Sequence, residues 1–115
     1  MTVCTFTDLE EYDSDKFKRK DVHSGPRSTV VLLHLLPGQE IPTHSHAGVE
    51  IMLVAQKGEA ILTIDAIKKV TLKPGIFFSE IGDGHTFSIK NNSSLPFQMM
   101  VVQIKLSEAN HVSKL

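Results

Sequence analysis

Three histidines and one glutamate stand out as residues that could bind a metal ion together. His44 and His46 are two residues apart, so both imidazoles would lie on one face of a strand. Glu50 has the same parity, and His85 follows the glycine-containing stretch 82–84, a loop that can redirect a strand toward the interior. Imidazole and carboxylate donors suit zinc, iron, manganese, nickel, cobalt or copper. The four residues therefore predict a site for one divalent transition metal ion.

The elements that must position these side chains are predicted to be strands rather than helices. Turn-forming residues recur at short intervals, and no segment keeps a sustained helical period. This pattern predicts an all-β fold, an antiparallel sandwich or barrel, with any helix confined to a short terminal stretch. The predicted strands cover residues 28–36, 49–56, 60–64, 67–72, 76–81, 85–90 and 97–106.

The chain has 115 residues, which corresponds to one domain. We expect residues 1–27 to form an N-terminal arm with edge strands, residues 28–106 the barrel, and residues 107–115 a polar tail that is frayed or weakly helical. Within the arm, residues 8–20 are dense in charge, acidic first and basic afterwards. This stretch indicates a solvated surface or, as the alternative, an anion-binding patch.

Composition limits the classes of partner and compartment. The formal net charge of −1 at pH 7 gives no electrostatic argument for nucleic acid or an anionic membrane. Cys4 is the single cysteine, so no internal disulfide is expected and nothing points to an oxidising compartment. The N-terminus lacks a basic-then-apolar signal pattern. We therefore expect a cytoplasmic protein that binds neither nucleic acid nor membrane.

The segment around the histidine pair resembles the first motif of the cupin superfamily. That motif runs Gly, five residues, His-x-His, three or four residues, Glu, six residues, Gly. This chain has Gly38, five residues, His44 and His46, three residues, Glu50, seven residues and Gly58. Only the last gap departs from the pattern, by one residue.

The second motif of the superfamily is present in weaker form. It runs Gly, five residues, Pro-x-Gly, two residues, His, three residues, Asn. Gly82 and His85 are in register with it. Glu80 takes the place of the proline, Ile89 takes the place of the asparagine, and Gly75 comes one residue late. The glutamate at position 80 is also a candidate base near the metal, although a surface or loop-stabilising role is the simpler interpretation.

The resemblance covers residues 28–106 and implies a cupin-type jelly-roll barrel, also described as a double-stranded β-helix. It implies one divalent metal ion (Fe, Mn, Zn or Ni) inside the barrel, held by His44, His46, Glu50 and His85. Four protein ligands would leave two octahedral positions for water, dioxygen or a chelating substrate. Small single-domain cupins also pair, so a homodimer is expected, with the N-terminal arm at or near the interface.

Strand parity predicts the walls of a small-molecule pocket. If Glu50 points inward, Met52 does so too, and an inward His85 brings Phe87 with it. His34 belongs to one face of the preceding strand, although a hydrogen-bonded or interface histidine is the alternative. For the last strand, two faces stay open: Met99, Val101 and Gln103, or Gln98, Met100 and Val102. The predicted pocket-lining residues are His34, Met52, Phe87, Met100 and Gln103.

Two classes of function follow from the predicted site. The first is a metal-dependent enzyme acting on a small organic molecule, of the dioxygenase or the isomerase and lyase type. The second is a non-catalytic module that binds a metal or small ligand as a sensor or carrier. The sequence favours the enzyme because no DNA-binding or signalling segment accompanies the predicted barrel. No catalytic side chain other than the metal ligands is assigned.

Overall fold

The computed structural model describes residues 1–106, and these residues form two antiparallel sheets. One sheet has the order β1-β2-β9-β4-β7 and the other the order β3-β8-β5-β6. The predicted all-β, jelly-roll class is therefore confirmed. The strands are β1 Lys18–Ser24, β2 Ser28–Leu35, β3 Glu40–Ser45, β4 Val49–Lys57, β5 Ala60–Ile64, β6 Lys68–Leu72, β7 Phe77–Ile81, β8 Thr86–Lys90 and β9 Phe97–Lys105.

Two strands whose bounds the sequence pattern did not give, β1 in the N-terminal arm and β3 at the histidine pair, both lie at a sheet edge. Strand β1 begins with four consecutive charged residues and, among the described strands, pairs with β2 alone, so it lacks the apolar pattern of a buried strand. Strand β3 carries Pro42, which lacks the N–H of a ladder bond and is tolerated at an edge. The predicted tail, residues 107–115, lies outside the described residues. Within the described part of the chain, no helix is long and apolar enough to cross a membrane.

The core lies between the inner faces of the two sheets. Leu35 and Phe97 from the five-stranded sheet, and Leu62 and Leu72 from the four-stranded sheet, have no solvent exposure. Burying such side chains contributes about 1.5–3 kcal/mol each, so this layer supplies much of the stability. The β5–β6 hairpin holds Asp65 and neighbouring Ala66 at positive φ, and the tight turn is closed by the hydrogen bond from the Ile67 N–H to the Ile64 carbonyl oxygen.

An irregularity in β4 accounts for the extra residue before Gly58. The pairing of β4 with β9 shifts between Ala55 and Lys57, which leaves Gln56 as the inserted residue. Before this bulge the alternation is unbroken. Ile51, with its neighbours Leu53 and Ala55, is buried on the inner face, whereas the intervening residues are half-buried on the outer face. The orientation of every β4 side chain before the bulge is therefore fixed by this alternation.

The N-terminal arm covers part of the outer face of the five-stranded sheet. His34 is fully buried there, with Nδ1 3.3 Å from the Lys18 carbonyl oxygen and Nε2 3.1 Å from Nε2 of Gln98. Gln98 also donates to the carbonyl oxygen of Phe6, and Tyr12 lies edge-on to the His34 ring. Burial lowers the pKa of His34, so this histidine is a neutral structural residue that ties the arm to the sheet.

Candidate ligand-binding site

A cavity of about 390 Å³ lies between the two sheets. Both edge strands β1 and β3 contribute to its wall, so it lies toward the side of the sandwich where these edges face each other. Its wall is mostly apolar, with a few polar groups, which is the usual character of a small-molecule site. Its lining residues include Arg19, His44, His46, Leu53, Leu62, Phe87, Val101 and Gln103.

The histidine pair forms one polar corner of the cavity. His44 lies in β3 opposite Phe87 of β8, and His46 follows the end of β3. The two imidazole rings meet edge to face with centroids 4.5 Å apart. His46 also contacts Phe87, at 5.9 Å between ring centroids. The two histidines therefore share one face, as their spacing predicts, and both line the cavity.

Hydrogen bonds set the tautomers of these two histidines. Nδ1 of His44 lies 2.8 Å from the carbonyl oxygen of Pro42, which can only accept, so Nδ1 carries the proton and Nε2 is left as an acceptor. Nδ1 of His46 accepts from the side-chain amide of Gln103 at 3.3 Å, which places the proton on Nε2. In this arrangement the pair offers a ligand one acceptor and one donor.

The environment of His46 keeps its imidazole neutral. Burial is the main cause of its lowered pKa, and the neighbouring His44 adds to the effect. Gly82 packs against the backbone of His46. Its Cα lies so close to the His46 carbonyl group that any side chain at position 82 would overlap this group. Gly82 also donates its N–H to the carbonyl oxygen of Val49 at 2.8 Å. A glycine contact thus positions the second histidine of the pair.

His85 is engaged by two carboxylates rather than by the histidine pair. Its Nδ1 lies 2.8 Å from Oδ2 of Asp65, and its Nε2 lies 3.8 Å from Oε1 of Glu80. The hydrogen bond to Asp65 is the main cause of the raised pKa of His85. The Asp65 carboxyl has a lowered pKa, first because it accepts the Thr86 N–H and then because of His85. His85 is not among the residues that line the cavity.

Glu50 lies on the outer face of β4. It is opposite Ile81 of β7 and Ile104 of β9. The next residue, Ile51, is buried on the inner face, so the alternation of the strand places Glu50 on the outer face. Ile51 takes the inward position and lines the cavity. The carboxylate expected beside the two histidines is therefore directed away from them.

The side chains as placed do not fit the predicted four-ligand metal centre. Within residues 1–106, no three His, Cys, Asp or Glu side chains lie close enough together to hold a metal ion. His44 and His46 are adjacent, but Glu50 faces outward and His85 is bound to Asp65.

The cavity wall differs in part from the predicted wall. Phe87 and Gln103 line it, and β9 turns the face of Val101 and Gln103 inward. The other three predicted lining residues lie on the outer face of the five-stranded sheet, because they alternate with buried inner residues: His34, Met52 and Met100. Arg19 is a lining residue that sequence reasoning missed; the only indication was the basic half of the charged arm.

Comparisons with known proteins identify the fold. A protein with a double-stranded beta-helix domain from Klebsiella pneumoniae matches with a TM-score of 0.82 and 23% identity, covering 90% of this chain and 89% of that one. The Cupin_2 domain of an XRE-family transcriptional regulator from Enterobacter cloacae matches with a TM-score of 0.70 and 22% identity, covering 81% and 100%. A predicted oxalate decarboxylase from Thermotoga maritima matches with 0.70 and 21%, covering 78% and 81%.

No family model matches the sequence, and no curated protein matches it. The fold is that of a double-stranded β-helix, and a cavity with a histidine pair lies between its two sheets. The chain has the fold of the cupin superfamily, as the first sequence motif indicates.

Proposed function

We propose that this cupin binds a small organic molecule in the cavity between its sheets. The observation that supports the proposal best is the cavity of about 390 Å³, whose apolar wall contains a histidine pair and Gln103 as convergent polar groups. A volume of this size lies within the range of ligand sites, roughly 300–1,000 Å³. Apolar contact would hold the body of the ligand, and His44 and His46 would orient it.

Binding is supported by the cavity itself, whereas acid–base catalysis would depend on the histidine pair alone. Among the described residues, no aspartate or glutamate lines the cavity, and the carboxylate-bound His85 lies outside it. A general base must reach the proton that it removes, within about 3.2 Å or through one water. Among the similar structures, one is a predicted oxalate decarboxylase and another is a domain of a transcriptional regulator, so they do not favour one class of function. The enzyme activity and the metal ion stay predictions from the sequence motifs.

The test is a calorimetric titration with naphthaleneacetamide, a neutral aromatic probe small enough for the cavity. We expect one molecule to bind per chain, with a dissociation constant of about a millimolar or tighter for a ligand of this size. Thr29→Trp places a large ring in the cavity wall and should weaken binding by more than about tenfold, since it occupies the volume that the probe needs.

Val30→Trp is the matched control. Val30 is the next residue of β2 and lies on the outer face, so its replacement adds the same ring away from the cavity. The native chain has no tryptophan, so fluorescence of the introduced residue checks the folding of both variants. Equal binding to both variants, or no binding to the wild-type protein, would show that the cavity is not the binding site.

A further inference from the structure

We propose that the ligand is a small anion with an apolar body, a carboxylate in the simplest case, and that Arg19 binds its charged group. This inference rests on the proposed function and names the chemical class of its ligand. It starts from the charges on the cavity wall. Arg19 is the one Asp, Glu, Lys or Arg among the lining residues of the described chain, so the wall carries a fixed positive charge and no fixed negative one.

The alternation of β1 directs Arg19 to the cavity and its basic neighbours away from it. Arg19 pairs with Leu33 of β2, another lining residue, whereas Lys18 and Lys20 alternate to the outer face. Both lysines form ion pairs there with Glu11, at 3.2 and 2.9 Å. Glu11 of the arm therefore pairs with Lys18 and Lys20 on the outer face, whereas Arg19 lies at the cavity.

The hydrogen bonding of Arg19 leaves a free binding edge. Its Nε donates to Oδ1 of Asp21 at 3.2 Å, and within residues 1–106 its two terminal nitrogens make no hydrogen bond. Those two nitrogens present parallel N–H groups, the geometry that binds a carboxylate through both oxygens. The contact with Asp21 is an ion pair that holds the guanidinium and offsets part of its charge, but Asp21 is 81% exposed and does not line the cavity.

The exposure of the lining side chains differs between the rim and the inner wall of the cavity, as a ligand with a charged group and an apolar body requires. The Arg19 side chain is 63% exposed, so an anion beside it would keep part of its hydration and would avoid the cost of full burial. The inner wall is buried and apolar, with Leu53, Leu62, Phe87 and Val101 each at most 5% exposed. A charged group at the rim and an apolar body inside therefore match the two ends of the site.

The test compares naphthaleneacetic acid with naphthaleneacetamide, which has almost the same shape but no charge, by calorimetry at about pH 8, above the ordinary histidine range. We expect the wild-type protein to bind the acid about tenfold more tightly than the amide, which is typical of one hydrogen-bonded charge. Arg19→Gln should abolish this preference by lowering the affinity for the acid to that for the amide.

Lys20→Gln is the matched control, because it removes the same charge from the same strand on the other face. It should keep the tenfold preference for the acid. Equal binding of acid and amide to the wild-type protein, or a preference that survives Arg19→Gln, would overturn this inference while the proposed function stands. If neither probe binds the wild-type protein, the proposed function fails and this inference fails with it.

Discussion

Gly82→Ala should destabilise the protein by about 3 kcal/mol and weaken ligand binding, although the substitution adds only one methyl group. A Cβ at this position would overlap the carbonyl oxygen of His46 and lie 2.7 Å from its carbonyl carbon. Both atoms belong to the backbone, so no side-chain rotation can relieve the contact. His46 must move, and the histidine pair moves with it. Urea denaturation measures the loss of stability, and calorimetry measures the loss of affinity.

Gly84→Ala is the control in the same loop. Gly84 has a φ of +79°, and an added Cβ would meet no atom within 4 Å. Its replacement should therefore cost only the left-handed strain of a non-glycine residue, about 1 kcal/mol, and should leave ligand binding intact. Equal losses of stability and affinity in the two variants would contradict the assigned contact between Gly82 and His46.

Phe87→Ala is expected to cost about 3–5 kcal/mol, a large part of the 5–15 kcal/mol that stabilises a typical domain. Phe87 is 2% exposed and forms an aromatic cluster with Phe78, His46 and His85, at 6.5, 5.9 and 6.3 Å between ring centroids. Its removal deletes the contact between the cavity wall and Phe78 of β7. Thermal and urea unfolding measure the effect.

The matched control is Phe77→Ala, which removes the same ring from the outer face of β7. Phe77 is 62% exposed, so its replacement should change the free energy of unfolding by less than about 0.5 kcal/mol. A small loss for Phe87→Ala, similar to that of the control, would show that the aromatic cluster does not support the cavity.

Local sequence patterns were sufficient for the fold because the strands alternate and the turns carry glycine and proline. The hairpin at Asp65 and the shared face of His44 and His46 both follow from such short-range rules. The bounds of the two edge strands could not be predicted, because an edge strand needs little apolar surface. Strand β1 is mostly charged, and Pro42 interrupts β3.

The site depended on long-range register, which local patterns do not contain. The extra residue before Gly58 indicated an irregularity, but the sequence does not give its position. The pairing of β4 with β9 places the bulge after Glu50, and the unbroken alternation before the bulge directs this carboxylate outward. The contact between His85 and Asp65 spans 20 residues and needs the β5–β8 register. Arg19 reaches the cavity only because β1 joins the sheet in one of two parities.

The homodimer, the metal ion and the cytoplasmic location stay predictions. The four motif residues that suggested the metal, His44, His46, Glu50 and His85, belong to three different surroundings: the cavity corner, the outer face of β4 and the carboxylate pair. The sequence motifs thus indicate the superfamily fold, and the placement of the side chains is the basis on which we propose an organic ligand.

Methyl-resolved NMR of the wild-type protein with saturating naphthaleneacetic acid tests the central claim most directly, because it locates the ligand. The cavity account predicts large shift changes at the inner methyl groups of Val31, Leu53, Leu62 and Val101. It predicts unchanged shifts at Val54 and Val102, which lie on the outer face of the five-stranded sheet. Changes confined to the outer-face methyl groups, or binding without any change at the inner ones, would contradict it.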